Sequence, residues 1–165
     1  MPDGERLVIS NTTPIIALTL TNQLHLLRTL YGEVLIPTAV EAELLAGGVR
    51  AGAKEIRATD FIRAVDLTDP RRAALLSDLD RGEAEVIALA LERDADLVII
   101  DERLGRRHAK RLGLTITGVV GLLIKAKQLG HIAHVAPLIA QMRQRGIRFA
   151  DALVAQALQM ADEQE

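Results

Sequence analysis

Four side chains have the type and position to do chemistry together: Asn11, Glu43, Glu83 and Asp101, with Glu85 and Glu102 close by as spares. Each stands near the junction of an apolar run with a helical pattern. Carboxylates brought together repel one another, so such a cluster is costly unless a cation neutralises it. Hard divalent ions such as Mg²⁺ or Mn²⁺ take oxygen ligands from one or two carboxylates and otherwise keep their waters. An ion held that way activates water and stabilises charge at phosphorus, the usual equipment of phosphodiester hydrolysis. Plainer roles compete for every residue. Glu43 also reads as a solvent-facing helix residue, Glu83 as a capping-box partner, Asn11 as a turn former, and Asp101 as the cap of the helix after it.

Asp101 has the most suggestive surroundings. Leu97-Val98-Ile99-Ile100 reads as a strand buried on both faces, and Asp101 ends it abruptly. In open α/β sheets, ligands bind beyond the carboxyl ends of strands. Behind Asp101, the residues Arg103, Arg106, Arg107, Lys110 and Arg111 recur at helical spacing. They form either a positive stripe able to hold phosphates whatever the base sequence, or an ordinary solvated face. A phosphoacceptor role for Asp101 would want an acidic pair after the first strand, where this chain has Ser10-Asn11.

The elements that must position these groups follow from pattern. Strands are expected at Leu7 to Ile9, Glu33 to Ile36, Leu97 to Ile100 and Leu114 to Ile116, with Ile62 to Leu67 ambiguous. Thr13 and Pro14 open one helix, and Leu24, Leu27 and Leu30 mark another that Tyr31-Gly32 stops. A third runs from Pro37-Thr38 to Ala46, turns Val40 and Leu44 to the core and closes at Gly47-Gly48. Ala51 to Thr59 suggests a short helix, and Thr68 to Asp80 a polar, partly helical stretch. Asp80 and Glu83 fit a capping box opening a helix to Arg93 that buries Ile87, Ala88 and Leu91. Then come Glu102 to Leu112 with Gly113 as its stop, a turn at Gly118 to Gly121, and a helix from Leu122 to Leu129. Two amphipathic helices, about Val135 to Arg145 and Asp151 to Ala161, complete the pattern. Strands alternating with helices imply βαβ crossovers and a mostly parallel sheet.

Composition narrows the classes. The 165 residues suggest a single domain, 1–165, with 49% apolar residues and only 2% aromatic, a core suited to helices layered on a sheet. Tyr31, Phe61 and Phe149 are too few for a base-stacking platform of the RNA-recognition kind. There is no cysteine, which removes disulfides and thiol chemistry. With a formal charge of -2, any polyanion must be held by a local basic patch. The stretch Met1 to Arg6 lacks the apolar segment of a signal peptide, and the apolar runs fall short of the ~20 residues of a membrane span. A soluble, cytoplasmic protein without a membrane partner is expected. His131 and His134 lack further residues at metal-ligand spacing, and Gly118 to Gly121 is as consistent with close helix packing as with a GxxG loop. Walker A, G-x-G-x-x-G and G-x-S-x-G motifs are absent.

An ordered set of segments resembles the PIN domain, in its DUF3368 branch. It comprises Ile9-Ser10-Asn11-Thr12-Thr13-Pro14, Ile36-Pro37 through Glu43-Leu44, Gly82-Glu83 through Ala90, Ile100-Asp101-Glu102-Arg103, and Leu112-Gly113-Leu114 through Gly121-Leu122. The resemblance implies a three-layer α/β/α sandwich and a Mg²⁺ or Mn²⁺ site of three or four acids. It also implies kinship with toxin ribonucleases that cleave single-stranded RNA, form dimers and are inhibited by a cognate antitoxin. The family's second and third acids fall on Glu43 and Glu83 and its later acid on Asp101, with Glu102 as a helper; Arg103, Arg106, Arg107 and Lys110 would guide RNA. Its first acid, an Asp, is Asn11 here, which keeps a carbonyl oxygen but loses a charge. The expectation is therefore a metal-dependent endoribonuclease, with a catalytically weak or inactive module that binds RNA or a partner protein as the alternative. Generous apolar surfaces at Val119 to Leu129 and on the last two helices suggest a homodimer or a bound antitoxin, burying at least ~1,000 Å².

Overall fold

The computed structural model describes residues 6–47 and 53–164. Five strands form one sheet in the order β3-β2-β1-β4-β5, and every pairing is parallel. They are β1 (Val8–Ser10), β2 (Val34–Pro37), β3 (Ile62–Val65), β4 (Leu97–Ile99) and β5 (Ile116–Thr117). All residues of β1, β2 and β4 are buried, which requires helices over both faces and explains their unbroken apolar runs. The result is the expected α/β/α sandwich.

The order of the strands locates the functional edge. From β1 the chain steps to β2 and β3 on one side, then crosses to β4 and β5 on the other. The carboxyl ends of β1 and β4 therefore flank a topological switch point, where such sheets leave a crevice. Their register is Val8↔Leu97, Ile9↔Val98 and Ser10↔Ile99, and the Asn11 N–H extends the ladder to Ile99 O at 2.9 Å. Asn11 and the Ile100-Asp101 step thus leave neighbouring strands side by side.

The helices that carry the remaining groups are α1 (Thr12–Leu20), α2 (His25–Tyr31), α3 (Thr38–Ala46), α4 (Ala53–Ala58), α5 (Arg71–Ala74), α6 (Arg81–Arg93), α7 (Arg103–Arg111), α8 (Val119–Gln128), α9 (Ala136–Gln144) and α10 (Asp151–Met160). Helix α3 packs on α6, and its Val40 and Leu44 are wholly buried.

Several boundaries differ from the pattern-based expectation. Helix α1 begins at Thr12 with Asn11 at its N-cap position, so Thr13 is not the cap and Pro14 lies within the first turn, where its missing N–H costs nothing. Strand β5 sits at Ile116–Thr117 rather than Leu114 to Ile116, because α7 returns through Leu112 to Leu114 in a tight hydrogen-bonded turn before pairing begins. Gly118 to Gly121 is not a turn: Gly118 is the N-cap residue and Val119 already starts α8. Leu91 is 36% exposed, unlike the buried Ile87 and Ala88. The ambiguous Ile62 to Leu67 resolves into β3. Met1 to Glu5, Gly48 as a helix stop and Ala51 as a helix start lie outside the described residues.

The expected apolar surplus is also smaller. In α8, Val119, Val120, Leu122, Leu123, Ile124 and Ala126 are all buried in the core. At its end Leu129 is exposed, and α10 keeps Leu153 and Met160 outward, while Ala157 is its one buried residue.

One tether was not visible in the sequence. The Glu163 carboxylate accepts the N–H groups of Val135 at 2.7 Å and Ala136 at 2.9 Å, and pairs with Lys127 Nζ at 2.8 Å. Although burial opposes its charge, these donors together hold the carboxyl down at about 2. Lys127 Nζ also donates to Ala161 O, so the end of α10 is fastened to α8 and to the start of α9. Glu163→Ala is expected to cost about 2 kcal/mol, the scale for losing charged hydrogen bonds, measured by urea denaturation at neutral pH. A change within error would show the tether to be unimportant.

Candidate functional site

The site assembles at the carboxyl edge of β1 and β4, against the amino end of α6. Asp80 sets that end: its Oδ1 accepts the Glu83 N–H at 2.8 Å, the first half of the expected capping box. Glu83 itself is 8% exposed and lies near Gly105 of α7, where an added Cβ would stand 3.8 Å from its carboxyl carbon. Burial pushes Glu83 up to about 7, and the charges of Asp80, Glu102 and Glu43 add to the rise against the opposing Asp80 hydrogen bond. Glu83 therefore lies within reach of three other carboxylates.

Glu43 reaches in from α3. Its Oε2 accepts from Thr12 Oγ1 at 2.9 Å, and its Oε1 occupies the space that any side chain at Gly82 would need. Thr12, which sequence reasoning passed over, is thus what ties α3 to the start of α1. The only hint was its position next to Asn11. Asn11 is 5% exposed, and its side chain makes no capping bond to α1.

Asp101 does cap a helix, but not the one that follows it. Val119 N–H, at the start of α8, lies 3.1 Å from Oδ1 and 3.4 Å from Oδ2, whereas the N-cap position of α7 belongs to Glu102. Gly118 permits this, because a side chain there would collide with Asp101. Burial raises Asp101 to about 6; the Val119 N–H and Arg106 pull it down, and Glu102 pushes it further up. Arg106 is held in place by Nη1–H donation to Ile100 O at 2.8 Å.

Glu85, the spare, is structural: it accepts the Ala39 N–H at 3.3 Å and pairs with Arg81 at 3.2 Å, joining α6 to the start of α3. Glu102 is exposed at the rim. His131 and His134 are exposed between α8 and α9.

Whether these residues fit a divalent ion can be judged from the donors. Among the described residues, no three His, Asp or Glu side chains are grouped closely enough to hold a metal. Glu43 is engaged by Thr12, Asp101 by Val119 with Arg106 beside it, and Asn11 brings no charge. In this arrangement the set does not fit a bound ion.

Beside the acids lies a basic groove. Asp101, Arg103, Arg106, Arg107 and Lys110 line an open cavity of about 470 Å³ along α7. Arg111 lies outside that lining.

Taken together, sheet order and helix cover define a doubly wound α/β domain, with an open basic cavity beside Asp101 at its edge. The family model DUF3368, a PIN domain, matches residues 7–163, and the chain belongs to that family. No curated protein is similar enough in sequence to carry a particular activity across. No helix among the described residues is long and apolar enough to cross a membrane.

Proposed function

We propose that this chain is a PIN module that binds single-stranded RNA and hydrolyses it weakly or not at all. The observation that carries the reading is the α7 groove. Four cationic side chains converge on one cavity that opens at Asp101, on a protein whose formal charge is only -2. Such a local concentration is what a phosphate backbone needs, and it is indifferent to base sequence. Weak hydrolysis follows from the neutral Asn11 and from acids already engaged by Thr12, Val119 and Arg106.

The test is fluorescence anisotropy with short labelled RNA strands in EDTA across a salt series. Arg103→Ala/Arg107→Ala leaves the Arg106–Ile100 bond intact and should weaken all sequences alike. The log–log salt slope should shrink by about 1.4, since each phosphate contact on a single strand contributes about 0.7. An unchanged slope would return α7 to the role of a solvated face, and a partner protein would become the better reading.

The second reading, a Mg²⁺- or Mn²⁺-dependent endoribonuclease acting as a toxin with a cognate antitoxin, is favoured by one observation. Glu83 and Asp101 are both held above the usual carboxylate range, a situation that a divalent cation would relieve.

A further inference from the structure

The basic groove continues past Arg106 into a cavity of a different kind. About 320 Å³ in volume, it lies between β5, α8 and α10 and shares Asp101 and Arg106 with the groove along α7. Ile116, Ile124, Leu153 and Met160 give it apolar walls, and Thr117 and Gln156 add two neutral polar groups. Arg106 is the one cation among its lining residues.

The hollow has a simple origin. Leu153, Ala157 and Met160 recur at helical spacing along α10, and the small, buried Ala157 between two large side chains leaves the gap. Leu153 is 43% exposed and Met160 58%, so neither is consumed by the core.

These walls exclude some occupants. A phosphate would exchange water for apolar surface and stand near the Asp101 carboxylate with a single cation to offset it, which is unfavourable. A flat heteroaromatic ring suits the slot: its faces meet apolar walls, and its edge meets an amide, a hydroxyl and a carboxylate. At the junction, the guanidinium of Arg106 is fixed by Ile100 O at 2.8 Å, and guanidinium planes stack on bases as well as pairing with phosphates.

We infer that this slot holds one unstacked nucleobase of an RNA strand whose phosphates lie along Arg103, Arg107 and Lys110. The inference rests on the RNA-binding reading and adds to it that affinity depends on bases as well as on backbone. Recognition then has two separable parts, a salt-sensitive one on α7 and a salt-insensitive one between α8 and α10.

The experiment compares, in EDTA, an oligocytidylate with a strand of equal length whose riboses carry no bases. Wild type should bind the base-bearing strand about tenfold more tightly, the scale of one base buried against side chains. Leu153→Ala/Met160→Ala alters only exposed positions of α10, so the fold should survive, as an unchanged melting temperature would show. In that variant the preference should fall toward one while affinity for the abasic strand and its salt slope stay as in wild type. Arg103→Ala/Arg107→Ala should do the reverse, weakening both strands by the same factor. Equal binding of the two strands by wild type would overturn the base slot while leaving the RNA-binding reading intact, and would assign the apolar slot to a protein partner. Binding of neither strand would defeat the RNA-binding reading and the slot with it.

Discussion

Glu83→Gln is expected to stabilise the metal-free protein by roughly 2 kcal/mol near pH 8 and to leave it unchanged near pH 4. The sign follows from where the proton sits. Unfolded, this carboxyl titrates near 4.5, and folded it titrates at about 7. Between those values the folded protein holds a proton that the unfolded chain has released, so stability falls as pH rises through the window. Above it, folding must bury an ionised group beside Asp80, Glu102 and Glu43, and the penalty is complete. Below it, both states are neutral and the penalty vanishes. Glutamine has the shape of the protonated acid and never ionises, so the variant avoids the cost. Asp101, also raised, gives a further slope of the same sign that the variant keeps. Urea denaturation in EDTA at several pH values measures the difference. A variant less stable than wild type at pH ~8, or a difference that does not change with pH, would contradict this reading of the pocket.

If the ribonuclease reading holds, Asn11→Asp is expected to tighten Mn²⁺ binding on the order of tenfold or more, because charged oxygen ligands hold hard cations more strongly than neutral ones. The change alters one atom type and almost no volume. The backbone bond from Asn11 N–H to Ile99 O does not involve the side chain, so β1 and β4 keep their register. Position 11 is already 5% exposed with no capping bond to lose. Without metal the added charge, at a position 5% exposed, should lower stability at neutral pH, and Mn²⁺ should restore it if an ion binds there. Calorimetric titration reads the affinity, and single-turnover assays should show RNA cleavage at least as fast as in wild type. No gain in affinity would place Asn11 away from any ion site. Cleavage by wild type that disappears in Asn11→Asp would instead give the amide a role of its own, such as donating to a substrate phosphate.

Much of the fold was legible because its signals are local. Val8-Ile9 and Leu97 to Ile100 are apolar without alternation, which identifies central strands buried on both faces, and the intervening helices require parallel pairing. The Asp80–Glu83 cap lies within one turn and was visible as a motif. What was missed depends on contacts between distant segments. Asp101 looked like the cap of α7, yet it serves Val119, a partner set by the position of β5. Strand β5 itself is defined by the pairing of Val98 with Ile116, which no local pattern in Leu114 to Thr117 reveals. In the same way, Thr12 holding Glu43 and Glu163 fastening α9 join residues far apart in sequence. For the site, residue types and edge positions could be read from the chain. Whether the carboxylates converge as ligands could not, because that depends on which oxygen each neighbour already claims.

The fate of a bound RNA strand separates binding from cleavage most directly. End-labelled single-stranded RNA, incubated with excess wild-type protein in millimolar Mn²⁺, is run in parallel on native and denaturing gels. The result expected is RNA retarded on the native gel and intact, or cut only slowly, on the denaturing one. Rapid cutting by wild type, abolished by Asp101→Asn, would contradict it and establish the ribonuclease reading, and RNA that is neither retarded nor cut would contradict RNA binding itself.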